Sequence, residues 1–167
     1  MRFWDSSALV PLLVQEVSSW KLWEFVRQDP EMVLWWATPV ECAAALARID
    51  GEGQVRSPVL EQGRRILQAL VANATEVHPS EDVRASAEHL VSRYTLRAAD
   101  SLQLAAALLW RQGYTDGASF VTLDRRLYVA AALEGFRVLP YPDEVHETVA
   151  EYGERSPAAL SARSISD

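Results

Sequence analysis

Four acidic residues occur at points along the chain where their carboxylates could act together: Asp5, Glu41, Asp100 and Asp124. Asp5 and Asp124 each follow a short apolar run typical of a strand, and Glu41 and Asp100 lie early in helical patterns. In a parallel sheet such positions share one edge, where ligands bind. Clustered carboxylates repel one another, and a bound cation offsets that repulsion. Because Mg²⁺ and Mn²⁺ prefer oxygen ligands, the pattern predicts a divalent metal site.

Three of these acids also have a structural interpretation in the sequence. Asp5 and Asp124 each precede a predicted helix and are suitable N-caps. Thr38, Pro39 and Glu41 fit a capping box, with Thr38 as the N-cap and the glutamate at the third helical position. On this view Glu41 needs no function, although it still lies just after a strand.

Asp100 is the acid with the weakest structural explanation. Aspartate is unfavourable inside a helix, and if Thr95 caps this helix, Asp100 lies beyond the first turn, where the helix dipole has little effect. The structural alternative is a salt bridge to Arg97 or Arg93.

The elements that must position these acids alternate along the chain. Apolar periodicity, caps and glycine stops predict helices at 6–14, 18–28, 38–49, 58–72, 80–93, 95–112 and 125–133. Strand-like runs lie at 2–5, 32–37, 74–78, 119–123 and 137–140. This alternation predicts an α/β domain with a central parallel sheet and helices on both of its faces. We expect the domain to cover residues 1–145 and residues 146–167 to form a loose tail.

Composition limits the classes of function. The 167 residues have a net charge of −7, so nucleic acid would have to be bound locally rather than by bulk electrostatics. Zinc is disfavoured because Cys42 is the only cysteine and His78, His89 and His146 are scattered. No apolar run is long enough to span a membrane, and the N-terminal segment resembles a strand and helix more than a signal peptide. A cytoplasmic location is therefore expected.

Four segments surround the acids: FWDSSALV, TPVECAAALAR, LRAADSLQLAAAL and FVTLDRRLYVAA. Together they resemble the PIN-domain family, and within it the VapC toxins of toxin–antitoxin modules. Each fragment alone is common, but the four occur in the family's order over about residues 2–140. The resemblance implies a Rossmann-like, three-layer α/β/α fold. It also implies metal-dependent endoribonuclease activity in an acidic pocket made by the four acids, with support from Ser7 and Thr122. It also implies an antitoxin partner, and many members of the family form homodimers.

Three alternatives stay open at this point. The fold could serve as a binding module with an inert site, or as a PIN nuclease that processes RNA outside a toxin system. A phosphoaspartate hydrolase is disfavoured because Asp5 is followed by Ser6 and Ser7, and because Lys21, the only lysine, lies too early in the chain. The RNA-binding surface is undefined. Arg97, Arg125 and Arg126 are the main candidates, with Arg48, Arg64, Arg65 and Arg93 behind them. A solvated helix face is the favoured interpretation of these arginines.

Overall fold

The computed structural model describes residues 1–14, 19–53, 55–113 and 117–140. Within them the helices are α1 (Ser6–Val14), α2 (Ser19–Gln28), α3 (Thr38–Gly51), α4 (Ser57–Ala72), α5 (Glu81–Tyr94), α6 (Ala98–Arg111) and α7 (Arg125–Leu133). The strands are β1 (Arg2–Trp4), β2 (Met32–Trp35), β3 (Thr75–Val77), β4 (Ser119–Val121) and β5 (Arg137–Leu139). The predicted tail at 146–167 lies outside the described residues, as do the last residues of the predicted domain.

The five strands form one parallel sheet in the order β3-β2-β1-β4-β5. β2 and β3 lie on one side of β1, and β4 and β5 lie on its other side. The strand order therefore changes direction between the neighbouring strands β1 and β4. Such a switch point opens a crevice at the carboxyl ends of the strands. Asp5 follows β1 and Asp124 follows β4, so both predicted acids lie at this crevice.

Alternate residues of each strand pack on opposite faces of the sheet. Phe3 and Phe120 belong to one core, with residues of α5, α6 and α7. Trp4 and Val121 belong to the other, with residues of α1, α2, α3 and α4. Each fully buried side chain of this size stabilises the fold by about 1.5–3 kcal/mol. The result is the predicted three-layer, Rossmann-like α/β/α architecture.

The predicted helix at 95–112 begins later, at Ala98. Thr95 does not cap it, because Thr95 has a left-handed backbone (φ 54°) and terminates α5. Arg97 is the N-cap of α6 instead. The start of α3 also differs from the prediction, since its N-cap is Ala37 rather than Thr38. The predicted cap at Ser80 is confirmed, because its side chain accepts a hydrogen bond from the Val83 backbone N–H at 3.2 Å.

Candidate functional site

Asp5 lies at the carboxyl end of β1 and is 3% exposed. Its Oδ2 accepts hydrogen bonds from the Ser7 backbone N–H at 3.1 Å, from the Ser7 hydroxyl and from Thr122 Oγ1 at 3.0 Å. Burial raises the pKa of Asp5 to about 6, although these hydrogen bonds favour the ionised form; the nearby charge of Glu41 raises the pKa further. The predicted capping of α1 is correct, but Asp5 is also a buried acid that titrates near neutral pH.

Ser7 joins the beginning of α1 to the loop that follows β4. Its Oγ accepts hydrogen bonds from the backbone N–H groups of Leu123 at 2.9 Å and Asp124 at 3.1 Å. It also lies 3.1 Å from Thr122 Oγ1, which itself accepts from the Asp124 N–H at 3.1 Å. The two hydroxyls therefore connect the Asp5 carboxylate to the backbone N–H of Asp124.

Glu41 does not form the predicted capping box. Its Oε2 accepts hydrogen bonds from Ser6 Oγ at 2.7 Å and from Gln103 Nε2 at 3.1 Å. Thr38 is buried and bonds Gln103 instead of capping α3. Burial raises the pKa of Glu41; the two hydrogen bonds lower it, and the charge of Asp100 raises it. Glu41 is thus held toward α1 and α6, away from its own helix end.

Asp100 is the third residue of α6, in its first turn. The backbone of Arg97, the N-cap residue, favours the ionised form of this carboxylate and lowers its pKa, so aspartate at this helical position has a local reason. The alternative of a salt bridge is wrong within the described residues: no ion pair includes Asp100, and Arg93 pairs with Glu134 at 3.4 Å. Burial, followed by the charge of Asp124, raises the pKa of Asp100, whereas the charges of Arg97 and Arg126 lower it.

Asp124 is the N-cap of α7, as predicted. Its Oδ1 accepts hydrogen bonds from the backbone N–H groups of Arg126 and Leu127, both at 2.8 Å. The cap fixes the carboxylate at the switch point of the sheet. The structural and functional interpretations of Asp124 are therefore compatible, because a capping carboxylate still has a second oxygen.

The four acids form an electrostatic series: the charge of Glu41 raises the pKa of Asp5, that of Asp100 raises the pKa of Glu41, and that of Asp124 raises the pKa of Asp100. In Asp5, Glu41 and Asp124 one carboxylate oxygen takes all the hydrogen bonds from described residues, and the other takes none. One oxygen of each of these three acids thus has no hydrogen bond from the described residues.

The fit of this series to a metal ion is partial. No group of three or more His, Cys, Asp or Glu side chains in the described residues is placed to hold an ion. Mg²⁺, however, commonly binds through only one or two carboxylates, with water and substrate phosphates as the remaining ligands. The donor set suits such a hydrated ion and does not suit a closed protein cage.

Sequence reasoning missed three polar residues of the site: Ser6, Thr38 and Gln103. Gln103 is fully buried and bonds both Thr38 and Glu41. It was detectable, because it lies three residues after Asp100 on the same face of an otherwise Ala- and Leu-rich helix. A polar residue in that position needs buried partners.

Six of the seven arginine candidates separate into two groups. Arg48, Arg64 and Arg93 form ion pairs with Glu52, Asp50 and Glu134, at 3.1, 3.7 and 3.4 Å. Arg97, Arg125 and Arg126 instead line one cleft together with Asp100 and Asp124. The structure therefore places the three main candidates next to two of the acids.

The remaining residues considered from sequence lie outside the acidic site. His78 and His89 are exposed, and His146 is outside the described residues. Cys42 is a buried free thiol. Among the described helices, none combines the length and apolar character needed to cross a membrane.

Comparison with known proteins gives a likeness of fold. No family model matches the sequence, and a search of curated proteins found no match. Among solved structures, a chain from one described as a toxin-antitoxin complex from Klebsiella pneumoniae superposes with a TM-score of 0.58. It is 17% identical, and the match covers 84% of this chain and 97% of the other. At that identity the likeness concerns the fold.

Proposed function

We propose that the protein is a metal-dependent endoribonuclease of the PIN type and the toxin of a VapBC toxin–antitoxin pair. The observation that carries the proposal is the series of interacting carboxylates at the switch point of the parallel sheet. The sequence resemblance supports the nuclease assignment. The toxin role and an antitoxin partner are supported by that resemblance and by the similar fold of a chain in a toxin-antitoxin complex.

The acids have separate tasks in this proposal. Asp5, Asp100 and Asp124 would hold Mg²⁺ or Mn²⁺ directly or through water, and Glu41 would ligate or orient the attacking water. A bound divalent cation lowers the pKa of a coordinated water and neutralises charge on phosphoryl oxygens. Ser7 and Thr122 fix Asp5 and the backbone of Asp124, so the substrate phosphate meets a preorganised site.

Glu41 is suited to accept a proton. Ser6 and Gln103 both bond its Oε2, and Oε1 has no hydrogen bond from the described residues. Its raised pKa makes the ionised carboxylate a stronger base than an exposed glutamate. A water held near Oε1 could therefore lose its proton to Glu41 as its oxygen attacks phosphorus.

The test is cleavage of total RNA by purified protein, with Mg²⁺ or Mn²⁺ and with EDTA. Asp5→Asn and Asp124→Asn are the informative variants, because asparagine keeps the N-cap and removes the charge. We expect discrete, metal-dependent cleavage that both variants lose by at least about a hundredfold while staying folded. Absence of cleavage by folded protein that contains metal and no antitoxin would favour an inert binding module instead.

A further inference from the structure

A cationic cleft adjoins the acids, between the α5–α6 junction and the first turns of α7. It has a volume of about 570 Å³, and its wall includes Asp100, Asp124, Arg97, Arg125 and Arg126. The three arginines are exposed, and none forms an ion pair with a described residue. Guanidinium groups that no carboxylate pairs with can bind anionic groups in a bidentate manner. The cleft therefore suits an anionic occupant.

The described part of the chain ends beside this cleft. Leu139, the last residue of β5, is in register with Val121 of β4, and its carbonyl accepts a hydrogen bond from the Thr122 backbone N–H at 3.0 Å. Asp124, in the wall of the cleft, follows Thr122 by two residues. Neighbouring strands lie only ~4.8 Å apart. The residues that follow Pro140 thus begin at the edge of the sheet that carries the cleft.

The sequence that follows Pro140 is strongly acidic. Residues 143–154, which we call the acidic segment, contain five acids and neither Lys nor Arg: Asp143, Glu144, Glu147, Glu151 and Glu154. They contribute five of the seven net negative charges of the chain. An extended chain spans ~3.3–3.6 Å per residue, so Asp143 reaches up to ~10 Å from Pro140 and the later acids reach further. The acidic segment is therefore opposite in charge to the cleft and close enough to enter it.

We infer that the acidic segment binds in cis to the cationic cleft, where its carboxylates pair with Arg97, Arg125 and Arg126 and compete with phosphate-bearing ligands. The contact itself is argued from charge and from the position of the chain. Its consequence, restraint of RNA cleavage by the protein's own chain, rests on the proposed function.

The tether makes even a weak contact effective. A segment held close to its site has an effective concentration on the order of millimolar, so a contact with a dissociation constant of about 0.1 mM would lower the apparent affinity for a competing anion about tenfold. A few exposed ion pairs are sufficient for such a contact, because the chain keeps the acidic segment near the arginines.

Isothermal titration calorimetry with inorganic tripolyphosphate tests the contact on the full chain, in metal-free buffer and without any need for RNA cleavage. The acidic-segment variant combines Glu144→Gln, Glu147→Gln and Glu151→Gln, and so removes three charges from the segment. We expect it to bind tripolyphosphate at least about fivefold more tightly than wild type, because the competing anion is weakened.

The matched control combines Glu31→Gln, Glu61→Gln and Glu88→Gln. These three positions are exposed and lie outside the wall of the cleft, and the change in net charge is the same. At physiological salt the control should alter the affinity by less than about twofold, because distant exposed charges are screened. Equal tightening by the two combined variants would mean that net charge alone sets the affinity, and would overturn the inference.

Arg126→Gln connects the effect to the cleft through a double-mutant cycle. If the acidic segment pairs with Arg126, removing that arginine should reduce the gain in affinity from the acidic-segment variant by at least about half. Arg65→Gln, at an exposed position of α4 in the opposite helical layer, should leave the gain unchanged. An equal gain in both arginine backgrounds would contradict binding in the cleft. A gain that appears only at high protein concentration would mean that the segment binds a second copy of the chain, and would contradict binding in cis.

RNA cleavage below saturation separates this inference from the proposed function. With Mg²⁺, we expect the acidic-segment variant to cleave RNA faster than wild type. If wild type cleaves RNA, and the variant binds tripolyphosphate no more tightly and cleaves no faster, the inference is wrong and the nuclease assignment stands. If neither protein cleaves RNA while the variant binds tripolyphosphate more tightly, the contact stands and the nuclease assignment fails.

Discussion

Thr122 Oγ1 donates a hydrogen bond to Asp5 Oδ2 at 3.0 Å, joining two residues that lie 117 positions apart. The same hydroxyl accepts a hydrogen bond from the backbone N–H of Asp124 at 3.1 Å. One buried side chain thus contacts the residue after β1 and the loop after β4. Because those segments flank the switch point of the sheet, this contact sets the distance between Asp5 and Asp124.

Thr122→Val should test that contact, because valine has nearly the same shape and no hydroxyl. The Asp124 N–H and the Asp5 carboxylate would each lose a buried partner, and we expect the free energy of unfolding to fall by about 1–3 kcal/mol. Urea denaturation measures the change. Thr75→Val, at an exposed position of β3, should change it by less than about 0.5 kcal/mol. Equal effects at the two positions would show that the Thr122 hydroxyl does not stabilise the site.

Gln103→Met should separate the contribution of the buried amide to stability from the contribution of side-chain volume. Methionine fills a similar space but leaves Glu41 and Thr38 without the amide that donates to both. We expect a loss of about 1–3 kcal/mol in the free energy of unfolding and a further rise in the pKa of Glu41. Gln68→Met, at an exposed position of α4, is the control for the substitution itself. A loss no larger than that of the control would contradict the network described here.

The raised pKa of Asp5 predicts a pH dependence of stability. Its folded pKa of about 6 lies above 3.8, the ordinary value for an aspartate, so the folded protein binds the proton more tightly than the unfolded chain. The stability contributed by protonated Asp5 is complete below pH ~4 and is lost as the pH rises through about 6, by up to about 3 kcal/mol. Metal must be absent in this measurement, because a bound cation would favour the ionised form.

Urea denaturation in EDTA between pH 4 and pH 7 would measure this effect as the difference between wild type and Asp5→Asn. We expect wild type to lose stability relative to the variant as the pH rises through this window. Asp50→Asn, at an exposed ion-paired position, controls for the charge change. A difference between wild type and Asp5→Asn that stays constant with pH would mean that Asp5 is not protonated preferentially in the folded protein.

Gly63→Ala should disturb the packing of α4 against α1. A Cβ atom at this position would lie 2.6 Å from the Leu13 carbonyl oxygen, so one of the helix backbones must move. We expect a loss of about 1–3 kcal/mol in thermal or urea denaturation, despite the better helix propensity of alanine. Gly51→Ala meets no atom within 4 Å and should be neutral or stabilising by up to about 1 kcal/mol. Similar stability of the two variants would contradict the close approach of α4 to α1.

Most of the architecture was predictable from local signals. Except for β3, whose Thr75 is exposed, the strands are short runs with apolar residues buried on both faces of the sheet. The helices have clear periodicity and stops, so the order of the elements identified a parallel α/β sheet. Ser80 and Asp124 cap their helices as predicted, because capping depends on backbone groups within three residues. The start of α6 was not predictable in this way, since the left-handed conformation of Thr95 is uncommon for a non-glycine residue.

The sequence by itself determined which acids occur at the ends of strands and the starts of helices, because those positions follow from periodicity and capping. Only the tertiary structure decided what each acid contacts. Glu41 had a complete local explanation as part of a capping box, and it bonds Ser6 and Gln103 instead. Both partners are distant in sequence, and their approach depends on how α1 and α6 pack around the sheet. Long-range hydrogen bonds of this kind leave no periodic signal, whereas the helices and strands that create them do.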